Sequence, residues 1–331
     1  MYSKKVLCFL MTGGLLLLFT SVPHSAEGAE VVCRMGSHMS SGDASGMALE
    51  KFGELLAAKS KGQFKPTVAN DGKLGSQREI VEQVRDGALE ATISLAGGPG
   101  HYANEIMPIE YPYVYKDDDH MVRVLIAMRP VVEEILAPFN FKPFGYMDIG
   151  FRHILNKKRA IYRPADLKGI KVRAPAKFYA DMLTALGATS TVITWTEVYS
   201  ALQSGVVDGV EASGSLLYAM KFQEQAKFLS KTYHIGANFY IMAGKKWFDN
   251  LPKDLQKVFI EASEEASKYQ VELQKKLDKE SMDKLIAAGV KVNDVNNLAE
   301  FQNLVISWRD DYVQKMGPKT VSFYKKMLEV K

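Results

Sequence analysis

Cysteine is nearly absent from this chain: its 331 residues carry two, Cys8 and Cys33. Cys8 lies in an N-terminal segment expected to be removed, so Cys33 is left without an intramolecular partner. Nor does any Cys-x-x-Cys or His-Glu-x-x-His spacing offer a metal site, and no metal or other cofactor is expected. An excess of one charge is missing too. The 42 basic and 38 acidic residues give a formal charge of +4 and form no basic block, so nothing points to nucleic acid. No Gly-x-Ser-x-Gly elbow is present, and the five histidines beyond residue 29 are scattered, which removes the usual signs of an exported hydrolase. No catalytic residues are assigned.

What is present begins with a leader. Lys4 and Lys5 precede an apolar run over residues 6–19, followed by the small-residue stretch Ser25-Ala-Glu-Gly28-Ala29. The run is shorter than the ~20 residues of a membrane-spanning helix and contains Thr12, Gly13 and Gly14. This reads as a secretory signal peptide over residues 1–29, cleaved after Gly28 or Ala29. No cysteine follows in lipobox fashion, so the exported chain is expected to be unanchored in the periplasm. Loss of the leader removes two lysines and one glutamate and leaves a formal charge of +3. About 300 residues exceed what one hydrophobic core organises, so two lobes are expected.

Strand and helix patterns then alternate. Residues 30–35 read as a strand. A helix follows, with Met47, Leu49, Phe52, Leu55 and Leu56 at helical spacing, then strands over 64–69 and 89–95 flank a helix over 75–84. That order predicts βαβ units and a largely parallel sheet. The Gly97-Gly-Pro-Gly100 loop lacks the ending of a P-loop and reads as a sharp turn at the ligand-facing edge of the sheet. Asp117-Asp-Asp119 before His120 reads as a helix start rather than a metal site, since acids suit the positive end of a helix dipole.

Residues 145–155 read as a strand crossing into a second lobe. There, residues 170–173 form a strand, residues 176–186 form a helix, and Thr194-Trp195-Thr196-Glu197 fits a capping box on a helix closed by Gly205. After Pro252, Leu255, Val258, Phe259, Ala262, Ala266, Tyr269, Leu273 and Leu277 recur at steps of three and four. The pattern runs to about Ala288, giving a helix of ~50 Å, long enough to lie across both lobes and couple their orientation.

One stretch gathers more signal than any other. Asp166-Leu-Lys-Gly-Ile-Lys-Val-Arg173-Ala-Pro175 is followed by Leu186-Gly187-Ala188, by Trp195-x-Glu197-x-Tyr199-x-Ala201-Leu202-x-x-Gly205-Val-Val-Asp208-Gly209, and by Met220-Lys221-Phe222. Upstream stand Gly72-Lys-Leu74-Gly75 and Glu82-x-Val84-x-x-Gly87. In order and spacing these motifs resemble the solute-binding proteins of tripartite ATP-independent periplasmic (TRAP) transporters, the DctP type. The resemblance implies an α/β periplasmic binding protein fold of two lobes, joined by crossover strands and spanned by a long helix. It further implies lobe I over 30–149, lobe II over 150–237, a return to lobe I over 238–277, and a return to lobe II with the C-terminal helices over 278–331.

The resemblance also implies a site. In the family, the arginine of the Lys-x-Arg strand receives a ligand carboxylate, and it matches Arg173. The arginine of the Gly-x-Arg segment matches Arg152, and the aromatic wall at a helix start matches Trp195. A planar, permanently charged guanidinium presents two parallel donors to an oxyanion, which an ammonium cannot do. Two departures bear on the ligand. Glu211-Ala212-Ser213 stands where many relatives have Glu-Asn-Pro, and Leu95-Ala96-Gly97-Gly98 offers few polar groups. The expectation is therefore a small organic anion, a short carboxylate or hydroxy acid or a compact sulfonate such as isethionate, with Ser213, Ser37 and His38 adding neutral hydrogen bonds. The implied partners are the small and large integral membrane subunits of a transporter, or a sensor, and the implied oligomeric state is a monomer.

Overall fold

A computed structural model describes residues 29–95 and 98–331. The expected leader, up to residue 28, and Ala96 and Gly97 of the glycine loop lie outside the described residues. The first part of the chain alternates as the apolar spacing predicts: β1 (Val31–Gly36), α1 (Ala44–Lys59), β2 (Phe64–Ala69), α2 (Gln77–Asp86), β3 (Ala91–Ser94), then α3 (Asp118–Leu136). Capping residues fix the helix starts. Asp43 accepts hydrogen bonds from Ser45 N and Gly46 N, Ser76 and Glu79 form a reciprocal capping box on α2, and Asp117 accepts from His120 N. The acidic run 117–119 is thus a helix start as expected, and no cluster suited to a metal ion occurs among the described residues.

The chain then crosses to a second sheet. β4 (Phe141–Phe151) belongs to the first sheet, Arg152 is the junction, and β5 (His153–Asn156) belongs to the second. Next come β6 (Lys171–Ala174), α4 (Lys177–Ala185), β7 (Thr189–Val192), α5 (Val198–Ser204), β8 (Gly209–Ala212), α6 (Gly214–Ala219) and β9 (Phe228–Lys231). β10 (Gly236–Gly244) returns to the first sheet, followed by α7 (Lys245–Asp249), α8 (Lys253–Ala287), β11 (Lys291–Asp294), α9 (Leu298–Lys315) and α10 (Pro318–Leu328).

The first sheet has the order β2-β1-β3-β10-β4 and the second β11-β9-β5-β8-β6-β7. Both are mixed rather than largely parallel. β1 pairs in parallel with β2 and β3, but β10 runs antiparallel to β3 and β4 because it travels back from the other lobe. A second correction concerns Thr194. Residues Trp195–Glu197 form one 3₁₀ turn without a side-chain cap, and Glu197 N bonds to the carbonyl of Thr194 instead of its hydroxyl. Gly205 does close α5, in the left-handed conformation.

The long helix α8 spans 35 residues and packs on α1 and β4 of one lobe and on α6 of the other. Its first half is apolar inside: Phe259 meets Phe52 and Phe144 with ring centroids 5.0 and 4.8 Å apart. Each such buried ring contributes about 1.5–3 kcal/mol relative to exposure. Further along, the buried face turns polar. Tyr269 is exposed, whereas Ser267, Gln270 and Gln274 point inward. β4 is an edge strand, and an edge must find partners for its outer backbone groups. Ser267 Oγ accepts from Tyr146 N, Gln270 brackets the N–H and C=O of Asp148, and Gln274 donates to Ile149 O. At the crossing, Gly150 has φ +81° with the Asp278 carboxylate packed where a Cβ would stand, so a side chain there meets both strain and a clash.

Candidate functional site

A cavity of about 420 Å³ lies between the two sheets. It opens at the C-terminal ends of parallel strands: His38 and Met39 follow β1, Gly98 follows β3, Pro175 follows β6, and Thr194 and Trp195 follow β7. Ligands of open α/β sheets characteristically bind there, where loops leave the strands. The start of α2 contributes Ser76, Gln77 and Arg78. Leu95, Ile149, Leu216 and Phe239 supply apolar surface. The volume falls in the ~300–1,000 Å³ range of small-molecule sites.

Two guanidinium groups are buried at this cavity, and their surroundings differ. Arg152 donates through Nε and Nη2 to the two carboxylate oxygens of Glu211 on β8, and through Nη2 to the Glu211 carbonyl at 2.9 Å. His234 Nε2 lies 3.3 Å from the same carboxylate, and Tyr179 places its ring 5.5 Å from the Arg152 Cζ. Burial works against the Arg152 charge, but Glu211 outweighs it and holds the guanidinium above its usual range. Glu211 is correspondingly held below the usual carboxylate range by Arg152, against its own burial.

Arg173 has no such partner. Its Nε donates to Ile193 O at 2.8 Å, and no acceptor meets Nη1 or Nη2 among the described residues. Burial pulls its basicity down; Glu211 partly opposes this and Arg152 adds to it. A buried guanidinium that faces the cavity with the four N–H groups of its two terminal nitrogens unpaired is poised for an oxyanion.

Trp195 forms the wall beside it, its ring 5.3 Å from the Arg173 Cζ and edge-on to Phe222 at 5.3 Å. His38 lies opposite, packed against Phe239 at 6.0 Å, its pKa lowered to about 3 by burial and then by Arg173, so the imidazole is neutral. Four of the six expected residues, Arg173, Arg152, Trp195 and His38, therefore line one cavity. Ser37 and Ser213 do not. Ser37 Oγ accepts from Met39 N at 3.0 Å, and Ser213 Oγ pairs with Ser215 Oγ at 3.2 Å, both buried beside the cavity rather than in it. Sequence reasoning missed the polar groups of Gln77 and Thr194, whose only signal was their position at the ends of expected elements.

Two mixed sheets joined by crossing strands, with a buried cationic cavity between them, define a two-lobe solute-binding protein. The sequence profile of bacterial extracellular solute-binding protein family 7, DctP, matches residues 35–315, and the chain belongs to this family, the solute-binding proteins of TRAP transporters. A solute-binding protein of Sulfitobacter sp. (strain NAS-14.1) is 32% identical over 295 residues, 87% of this chain and 89% of the relative. A TRAP periplasmic solute-binding protein of Roseobacter denitrificans, solved with bound β-D-glucuronate, is 29% identical and superposes with a TM-score of 0.84 over 91% of this chain and 100% of that one. Its counterpart from Chromohalobacter salexigens, solved with bound D-glucuronate, is 27% identical with a TM-score of 0.87 over 90% and 100%. Among the described residues of this chain, no helix is long and apolar enough to cross a membrane.

Proposed function

We propose that this chain captures a small organic acid as a monoanion in the periplasm and delivers it, without chemical change, to the small and large membrane subunits of a TRAP transporter. The observation that carries the reading is Arg173: a buried guanidinium, facing the cavity, whose two terminal nitrogens have no acceptor among the described residues. Because Glu211 already neutralises Arg152, one uncompensated cation is left, and one carboxylate balances it. Charge balance disfavours a dicarboxylate. The cavity volume, and the glucuronate in two similar proteins, support a sugar acid over the shorter carboxylate or sulfonate expected from the sequence.

The test is a thermal-shift and calorimetric screen of the exported chain against hexuronates, aldonates, short hydroxy acids, C4-dicarboxylates and isethionate. A ligand that binds only the folded state stabilises it by RT ln(1 + [L]/Kd), so 100 Kd of ligand adds about 2.7 kcal/mol. A sugar acid giving the largest shift is the expected result. Preference for a dicarboxylate would overturn the charge argument, preference for isethionate would overturn the sugar-acid reading, and no shift with any acid would overturn the function.

A further inference from the structure

The wall residue of the cavity carries an unmet donor. Trp195 is buried, its Nε1 is shielded from solvent, and that atom has no hydrogen-bond partner among the described residues. Buried indole N–H groups are normally paired, because leaving a donor unmet in a dry site is costly. Trp195 nonetheless lines the cavity, with its ring 5.3 Å from the Arg173 guanidinium carbon. A neighbour on the opposite side has matching properties: His38 is buried, lines the same cavity and makes no hydrogen bond among the described residues. An indole N–H only donates. A neutral imidazole can also accept.

We infer that Trp195 is a hydrogen-bond donor to the ligand as well as an apolar wall, and that it selects acids bearing an oxygen on the carbon next to the carboxylate. The inference rests on the organic-acid reading above. A carboxylate held by Arg173 puts its neighbouring carbon beside the Trp195 ring; a small turn of the indole as the ligand binds brings Nε1, shielded in this structure, to the cavity, where the oxygen it meets is a 2-hydroxyl in an open-chain acid or the ring oxygen in a cyclic uronic acid. His38 faces the same end and can accept the proton of a ligand hydroxyl. An acid lacking the oxygen leaves the indole N–H unpaired in the closed site, and a site built to hydrogen-bond a group discriminates strongly against the analogue without it.

The experiment compares D-gluconate, 2-deoxy-D-gluconate and D-glucuronate by calorimetry on the exported chain and on Trp195→Phe, which keeps an aromatic wall and removes the N–H. Wild-type protein is expected to bind 2-deoxy-D-gluconate about tenfold more weakly than D-gluconate, and Trp195→Phe to erase that difference. In parallel, the ¹H–¹⁵N spectrum of wild-type protein contains three indole signals, from Trp195, Trp247 and Trp308. The Trp195 proton is expected to move downfield when D-gluconate or D-glucuronate binds, a readout that does not depend on the variant folding. Equal affinities for the two gluconates, or an unmoved Trp195 signal on binding, would overturn the inference while leaving the organic-acid reading intact. If wild-type protein binds none of the three acids, the sugar-acid reading falls and the inference with it.

Discussion

Arg152 is held by both carboxylate oxygens of Glu211, a residue 59 positions away on the adjoining strand, and the pair is almost fully buried at the crossing between the two sheets. Arg152 N also bonds to Ile235 O on the returning crossover, so the pair sits where both crossing segments meet. An arginine committed in this way ties the two crossing segments together. Arg173, on β6, is the reverse: anchored by one hydrogen bond at Nε and otherwise free. The two arginines that the resemblance implies at the ligand, Arg173 to receive the carboxylate and Arg152 beside it, are therefore expected to fail differently when removed.

Arg173→Ala is expected to weaken binding of the best acid by about 2–5 kcal/mol, the range for truncating one partner of a buried charge pair. That corresponds to about 30- to several-thousand-fold in Kd at 1.4 kcal/mol per decade. The fold should tolerate the change, because removing an unpaired buried cation relieves desolvation. Arg173→Lys should bind nearly as poorly, for a point-like ammonium cannot present the fork. Calorimetry on both variants checks this, and a change below threefold would remove Arg173 from the site.

Arg152→Ala is expected to cost stability before it costs affinity. It leaves the Glu211 carboxylate buried without its cation, a situation that costs about 3–5 kcal/mol. The double variant Arg152→Met with Glu211→Gln removes both charges and should recover most of the loss. Urea denaturation of the single and double variants is the measurement, and equal destabilisation by both would show that the ion pair is not the cause.

Much of this architecture was legible in the sequence, and the parts that were not share a physical reason. Strand and helix alternation, the acid-capped start of α3 and the long helix all follow from local periodicity and capping, which neighbouring residues determine. Arg173 was legible because its motif is contiguous. The Arg152 pairing was not, since Glu211 is distant in sequence and had drawn notice only for the residue after it, Ala212. Nor was the inward face of α8 beyond Ala266. Apolar spacing pointed to Tyr269, Leu273 and Leu277, but that segment lies against the edge strand β4, whose backbone groups need hydrogen bonds, so Gln270 and Gln274 turn inward. The serines at 37 and 213 satisfy local partners instead of reaching the cavity.

Gln270→Leu tests that seam. Leucine fits a buried helical position by size but leaves the N–H and C=O of Asp148 without their partner. An unmet buried polar group costs about 1–3 kcal/mol, so the variant should lose about 2–6 kcal/mol in urea denaturation. A loss below about 0.5 kcal/mol would mean that the amide does not support the edge strand.

Asp43 supplies a pH dependence. Burial raises its carboxyl from 3.8 to about 6, against the backbone N–H groups of Gly46 and Ser45 that favour the charged form. The folded state therefore binds the proton more tightly than the unfolded chain. The resulting stability is fully present below about pH 4 and is lost as pH rises through about 6, an effect on the order of 3 kcal/mol. Asparagine caps a helix about as well and does not ionise. Asp43→Asn should match wild type near pH 4 and exceed it in Tm at pH 7. Parallel Tm profiles across that window would sink the assignment.

His38 should, by contrast, leave ligand affinity flat. Its pKa near 3 in the folded protein means that the imidazole stays neutral from pH 5 to pH 8, and over that range Arg173 remains charged and a sugar acid remains ionised. Kd is therefore expected to vary by less than about twofold across the window. For stability the sign follows from the lowered value: the unfolded chain takes up a proton near pH 6.5 that the folded site rejects, so the contribution is present above about pH 6.5 and is lost as pH falls toward 3. His38→Gln keeps a neutral donor and acceptor and should hold affinity within about threefold. His38→Phe keeps the contact with Phe239 but offers no acceptor, and should lose about tenfold, the worth of one buried hydrogen bond. A step in Kd near pH 6.5 would instead show an imidazole that is exposed and charged at the ligand, and would remove His38 from its role as a neutral acceptor beside Trp195.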